Sequence, residues 1–116
     1  MHEMAILSNV MDTVLEYAEK NNAKEVVSIS LVIGELRDTV DDLMESCFQF
    51  LARNTIAGNA KLIMKKVPLK AQCSECLLTF GADIKDPQTL VCPDCGSTKL
   101  SIRNGKEFFI DCIEIK

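Results

Sequence analysis

Four cysteines fall in two pairs, Cys73-Ser-Glu-Cys76 and Cys92-Pro-Asp-Cys95, with fifteen residues between the pairs. This spacing suits a structural zinc site. Two cysteines three apart on a tight turn can aim both sulfurs at one ion. Two such turns facing each other complete a tetrahedron of thiolates. Gly96 follows the second pair and permits the turn that brings backbone N–H groups to the sulfurs. The same position after the first pair is Leu77, a departure from that pattern. The competing chemistries are a redox dithiol, which needs only one pair, and an iron–sulfur cluster, against which the compact turns weigh. The other two cysteines, Cys47 and Cys112, read as small buried core residues.

The second chemical feature is the one histidine, at position 2. A residue as large as His2 should leave Met1 in place. The α-amine of Met1, the amide nitrogen of His2 and its imidazole Nδ1 then close two fused chelate rings. Glu3 can add a fourth donor through its carboxylate or its backbone nitrogen. A nitrogen-rich square-planar or tetragonal set favours Ni²⁺ or Cu²⁺. Any chain beginning Met-His has these atoms, so a solvated terminal histidine is the plainer alternative.

Periodicity supplies the elements that must hold these groups. Leu7, Val10, Met11, Val14, Leu15 and Ala18 form one apolar stripe of a helix over 4–19, stopped by Asn21-Asn22. Val27, Ile29, Leu31 and Ile33 alternate with Ser28 and Ser30 as a half-buried strand ending at Gly34. Thr39 reads as the N-cap of a second helix, with Asp42 three residues on. Its stripe is Val40, Leu43, Met44, Cys47, Phe48 and Leu51. Strands follow over about 60–67 and 107–115. Between them lie short β-like pieces at Leu77–Phe80, Thr89–Val91 and Leu100–Ile102, with a turn at Asp86-Pro87. Residues 70–105 carry few core-sized side chains, so that stretch needs a metal staple. Glu35, Asp38, Asp41 and Asp42 could approach the N-terminus; anions favoured at a helix start are the plainer reading.

The 116 residues suffice for one domain with a small satellite. Net charge is −4, and the halves on either side of Pro68 are both acidic on balance. A phosphate-backbone binder would be basic, so nucleic acid is not expected. No apolar run reaches the ~18 residues of a membrane span, and no signal peptide is visible. A cytoplasmic protein with reduced cysteines is expected. A lone terminal histidine and cysteines committed to metal leave no constellation for an enzyme.

Together these residues resemble the HypA/HybF family of nickel-incorporation proteins for [NiFe]-hydrogenase maturation. The resemblance rests on Met1-His2-Glu3, Ile33-Gly34-Glu35-Leu36, the two cysteine pairs with Cys92-Pro93-Asp94-Cys95-Gly96-Ser97, and Gly105-Lys106-Glu107. It spans the whole chain in order. It implies that His2 ligates nickel, that Met1 and Glu3 contribute terminal or backbone donors, and that Cys73, Cys76, Cys92 and Cys95 hold structural Zn²⁺. It implies an α+β fold, two helices packed on a three-stranded mixed sheet with an inserted zinc ribbon. The nickel domain would be 1–69 plus 106–116, and the zinc-ribbon domain 70–105. The implied partners are the maturation GTPase and the hydrogenase large subunit, with the chaperone itself a monomer or homodimer. Arg37-Asp38-Thr39 stands where the family often has small residues, and the zinc region lacks the histidines some members carry. The alternative function is a zinc-ribbon interaction module with no transferable metal.

Overall fold

A computed structural model describes residues 2–116, and of His2 the backbone alone. The elements run α1 (His2–Lys20), β1 (Val26–Gly34), α2 (Asp41–Ala52), β2 (Lys61–Val67), β3 (Lys70–Cys73), β4 (Thr79–Gly81), β5 (Leu100–Asn104) and β6 (Phe108–Ile115). Single 3₁₀ turns lie at Glu35–Arg37 and Pro87–Thr89. The strands form two three-stranded sheets, ordered β2-β1-β6 and β4-β3-β5. The chain divides into two compact units. One comprises Met1–Val32, Thr39–Lys65 and Phe109–Lys116; the other comprises Ile33–Asp38 and Lys66–Phe108.

In the first unit α1 and α2 pack on each other. Leu7, Val10, Met11, Val14 and Ala18 of the α1 stripe are buried, as are Met44, Cys47, Phe48 and Ala52 of α2. Leu15 is only half-buried. The end of α1 shows why Asn21-Asn22 stops it. Asn22 takes a left-handed φ of 54°, Ala23 N–H donates back to Ala18 O at 2.9 Å and Asn22 N–H to Glu19 O at 3.1 Å. That is a Schellman close with Asn in the place glycine usually takes. β1 is the central strand of its sheet, so its burial exceeds simple alternation: Val26 and Ser30 are buried along with Ile29, Leu31 and Ile33.

Three expectations change. Thr39 is not the N-cap of α2; Val40 is, with extended φ −98° and ψ 119°. Cys112 lies exposed on β6, whereas Cys47 is buried. Residues 89–91 form no strand, because Asp86 accepts a hydrogen bond from Gln88 N–H and starts a 3₁₀ turn with Pro87 in its first positions. The strand actually added is β3, whose short Lys-Ala-Gln-Cys run has no apolar alternation to announce it.

In the second unit β3 pairs antiparallel with both neighbours, Gln72 facing Thr79 on one side and Ser101 on the other. Two glycine motifs distant in sequence close on each other here. A Cβ on Gly34 would stand 2.1 Å from the carbonyl oxygen of Gly105, so only glycine fits. Gly34 N–H donates to Glu107 O at 2.6 Å and Leu36 N–H to Gly105 O at 2.8 Å. Glu35 accepts from Leu69 N–H at 3.0 Å, Arg37 Nε donates to Lys106 O at 2.8 Å, and Glu107 accepts from Gly105 N–H at 2.7 Å. Gly105 itself has φ +121°.

Candidate metal centre

β3 ends at Cys73, which is fixed opposite Leu100 of β5. The next turn carries Cys76. The second pair sits on the turn leading toward β5. The two turns repeat the same hydrogen bonds. Leu77 N–H donates to Cys73 O at 3.0 Å, and Gly96 N–H to Cys92 O at 2.9 Å. Cys73 N–H donates to Leu78 O and Cys92 N–H to Ser97 O, each at 2.9 Å. The repetition demands a left-handed residue at the same place in both turns. Gly96 supplies it at φ 74°, and Leu77 is forced into it at φ 65°.

All four Sγ atoms lie within 4.8 Å of one another. Cys73–Cys95 and Cys76–Cys92 are each 3.5 Å apart. A tetrahedral ion with bonds of ~2.3 Å would set its sulfurs about 3.8 Å apart, so the donor set fits zinc. Cys73 and Cys92 are buried, while Cys76 and Cys95 form the exposed rim. Backbone N–H groups serve the buried pair: Glu75 and Cys76 donate to Cys73 Sγ at 3.4 Å, and Cys95 to Cys92 Sγ at 3.5 Å.

The charges follow from these contacts. The Cys76 N–H is the main cause pulling the Cys73 thiol down to about 6, against the opposing effect of burial. Cys92 is lowered as well, chiefly by the Cys95 N–H. For Cys95 the Ser97 N–H pulls downward, but the hydrogen bond with Cys73, burial and the neighbouring sulfurs push it up to about 12. Cys76 is raised: the Leu78 N–H lowers it, but contact with Cys92 and burial outweigh that. Without metal the inner sulfurs therefore give up their protons more readily than the rim sulfurs do. Binding a divalent ion displaces those protons.

The N-terminal residues are placed differently. Met1 lies outside the described residues, and His2 opens α1 through its backbone. Glu3 is buried, and its Oε2 accepts a hydrogen bond from Val40 N–H at 3.1 Å. Asp41 and Asp42 occupy the first turn of α2, and Glu35 is engaged with Leu69. Sequence reasoning missed the Glu3–Val40 contact and the closure of Gly34 on Gly105. The only signal for the latter was the pair of Gly-x-x motifs at strand ends.

A family model described as hydrogenase/urease nickel incorporation, metallochaperone, HypA, matches residues 1–115. The chain belongs to the HypA family. Curated HypA relatives named as hydrogenase maturation factors include one from Dehalococcoides mccartyi strain CBDB1, 37% identical over 99% of this chain and 94% of its own. Another, from Aquifex aeolicus, is 32% identical over 100% of this chain and 98% of its own. A solution structure of HypA protein superposes with TM-score 0.72 at 25% identity, covering 100% of this chain and 97% of that one. The solution structure of the Helicobacter pylori nickel metallochaperone HypA shares the fold, with TM-score 0.64 at 23% identity over 97% and 96% of the two chains. HypA proteins are nickel-incorporation metallochaperones of hydrogenase maturation, not enzymes. Among the described residues, no helix is long and apolar enough to cross a membrane.

Proposed function

We propose that this HypA-family protein binds Ni²⁺ as cargo at its N-terminus and delivers it to the large subunit of a [NiFe]-hydrogenase, working in the cytoplasm with the maturation GTPase. His2, with the Met1 amine and backbone nitrogen, takes the ion. Cys73, Cys76, Cys92 and Cys95 hold a resident Zn²⁺, which supplies a closed four-thiolate anchor for the second unit. The nickel domain is 1–69 with 106–116, and the zinc-ribbon domain is 70–105.

The observation that carries the nickel reading is the start of α1 at His2. N–H groups in a first helical turn have no intrahelical acceptor. The His2 amide can therefore give up its proton to a metal without breaking a helical bond. An ordered helix beginning at that residue also keeps the donors near one place. Transfer is ligand exchange: an open terminal site lets a recipient's ligands approach. Affinity falls as pH drops, because amine, amide and imidazole must shed protons.

Nickel titration of the untagged protein tests this against His2→Ala and a form extended at the N-terminus. Both changes are expected to abolish one-to-one Ni²⁺ binding and to leave bound zinc untouched. Normal nickel binding by the extended form would remove the terminal amine from the ligand set. Normal binding by both altered forms would leave the zinc-ribbon module with no terminal cargo as the better reading.

A further inference from the structure

Glu3 follows the proposed nickel residue, yet it is only 5% exposed. Its carboxylate accepts the N–H of Val40 across 37 positions of sequence. Val40 is the N-cap residue of α2. An N-cap N–H lies outside the helical ladder, and in a capping box the side chain at the third helical position turns back to accept it. Here that position is Leu43, which has no acceptor, and valine has no oxygen to cap the turn itself. Glu3 supplies the missing half of the box from another helix, and its charge sits at the positive end of α2.

We infer that Glu3 is a positioning residue for nickel: its carboxylate caps α2 from α1, stays there when nickel is loaded, and holds the first turn of α1 in place rather than ligating the ion. The inference rests on the nickel reading above, but the cap exists without metal. Moving the carboxylate to the ion would strip a part-buried N–H of its charged acceptor, which is the costlier way to lose a hydrogen bond. The Met1 amine, the His2 amide and imidazole, and the backbone nitrogen of Glu3 can complete a tetragonal set without the carboxylate. Held by its neighbour, His2 enters the site with less chain entropy left to lose.

The test combines amide hydrogen exchange at Val40, with and without Ni²⁺, and nickel titration of the unaltered protein, Glu3→Gln and Glu3→Ala. Val40 protection in the unaltered protein is expected to be the same in both states. Glu3→Ala should lower it about tenfold in metal-free protein and weaken nickel binding about tenfold. Glu3→Gln keeps an acceptor oxygen and should retain most of both. Loss of Val40 protection on nickel loading would mean that the carboxylate has left for the metal, and would overturn the inference. So would a Glu3→Gln protein that loses nickel as fully as Glu3→Ala while Val40 stays protected. If the unaltered protein bound no nickel, the nickel reading would fail by itself. The metal-free exchange would still decide the cap, which unchanged Val40 protection in Glu3→Ala would refute.

Discussion

The helical unit buries Leu7, Val14, Ile29, Leu31, Met44 and Phe48, side chains large enough to build a core. The four-cysteine unit buries fewer large side chains, Ile33 and Leu69 with Ala71, and adds two of its own cysteines, Cys73 and Cys92. In one unit apolar side chains build the core, so the proposed cargo ion would not be needed to hold it together. In the other two of the metal-binding cysteines are part of the interior, so removing the metal should loosen that interior. The proposed function, carrying one ion and keeping another, would need this asymmetry.

The largest break in that comparison comes from Cys73→Ser. Structural zinc contributes roughly 10–16 kcal/mol of apparent binding energy, which is also folding energy. Loss of the buried ligand should abolish zinc retention and make residues 70–105 protease-sensitive, while α1 and α2 keep their helical signal. Zinc analysis with limited proteolysis reads both. Cys76→Ser should be milder, because Cys76 is on the exposed rim and Cys73 receives two N–H donors. Equal loss of helical signal and ribbon would show that the units do not differ in this way.

A second substitution asks how much of the cysteine unit depends on backbone contact alone. Gly34→Ala would drive a methyl to 2.1 Å from a carbonyl oxygen, with Lys106 N at 2.6 Å, and neither backbone atom can swing aside. The expected cost is about 3 kcal/mol or more, in the range of overpacking with lost hydrogen bonds. Thermal melting of the zinc-loaded protein measures it. A change below about 0.5 kcal/mol, the scale of an ordinary surface substitution, would mean the two strand ends can part cheaply.

This contact also marks the boundary of what the sequence makes legible. The α1 and α2 stripes, the β1 run and the doubled Cys-x-x-Cys announce themselves because helix period, strand alternation and ligand spacing are local patterns. Val40 as N-cap does not, since its N–H is satisfied by Glu3, far away in sequence. Thr39 is a better local candidate and still loses. Cys112 looks like core by composition, but it lies exposed on the strand that flanks β1. β3 is set by pairing on both sides and not by its own residues.

The cargo side of the comparison predicts a smaller energetic effect and no structural one. His2→Ala should weaken nickel at least about a hundredfold, close to 2.7 kcal/mol. Melting of the metal-free protein and its zinc content should stay as they were. Acidification should release nickel before zinc. The proposed terminal donors are amine, amide and imidazole nitrogens that acid reprotonates, whereas Cys73 and Cys92 are buried and served by N–H groups. Parallel nickel and zinc release curves would remove the distinction between carried and resident metal.

The smallest effect probes the two cysteine turns against each other. They share one hydrogen-bond pattern, but Gly96 meets its left-handed position without strain and Leu77 does not. Leu77 is 66% exposed, so its side chain gains little from burial in return. Holding a non-glycine residue there costs roughly 1–2 kcal/mol. Replacing it with glycine recovers that strain but loses about 0.5–1 kcal/mol to the freer unfolded chain. Leu77→Gly should therefore stabilise the zinc-loaded unit, by up to about 1.5 kcal/mol. Chelator-driven zinc loss should slow correspondingly, and Gly96→Ala should move it the other way by a similar amount. If Leu77→Gly speeds zinc loss instead, the leucine is making contacts that outweigh its strain, and the turns are alike in backbone only.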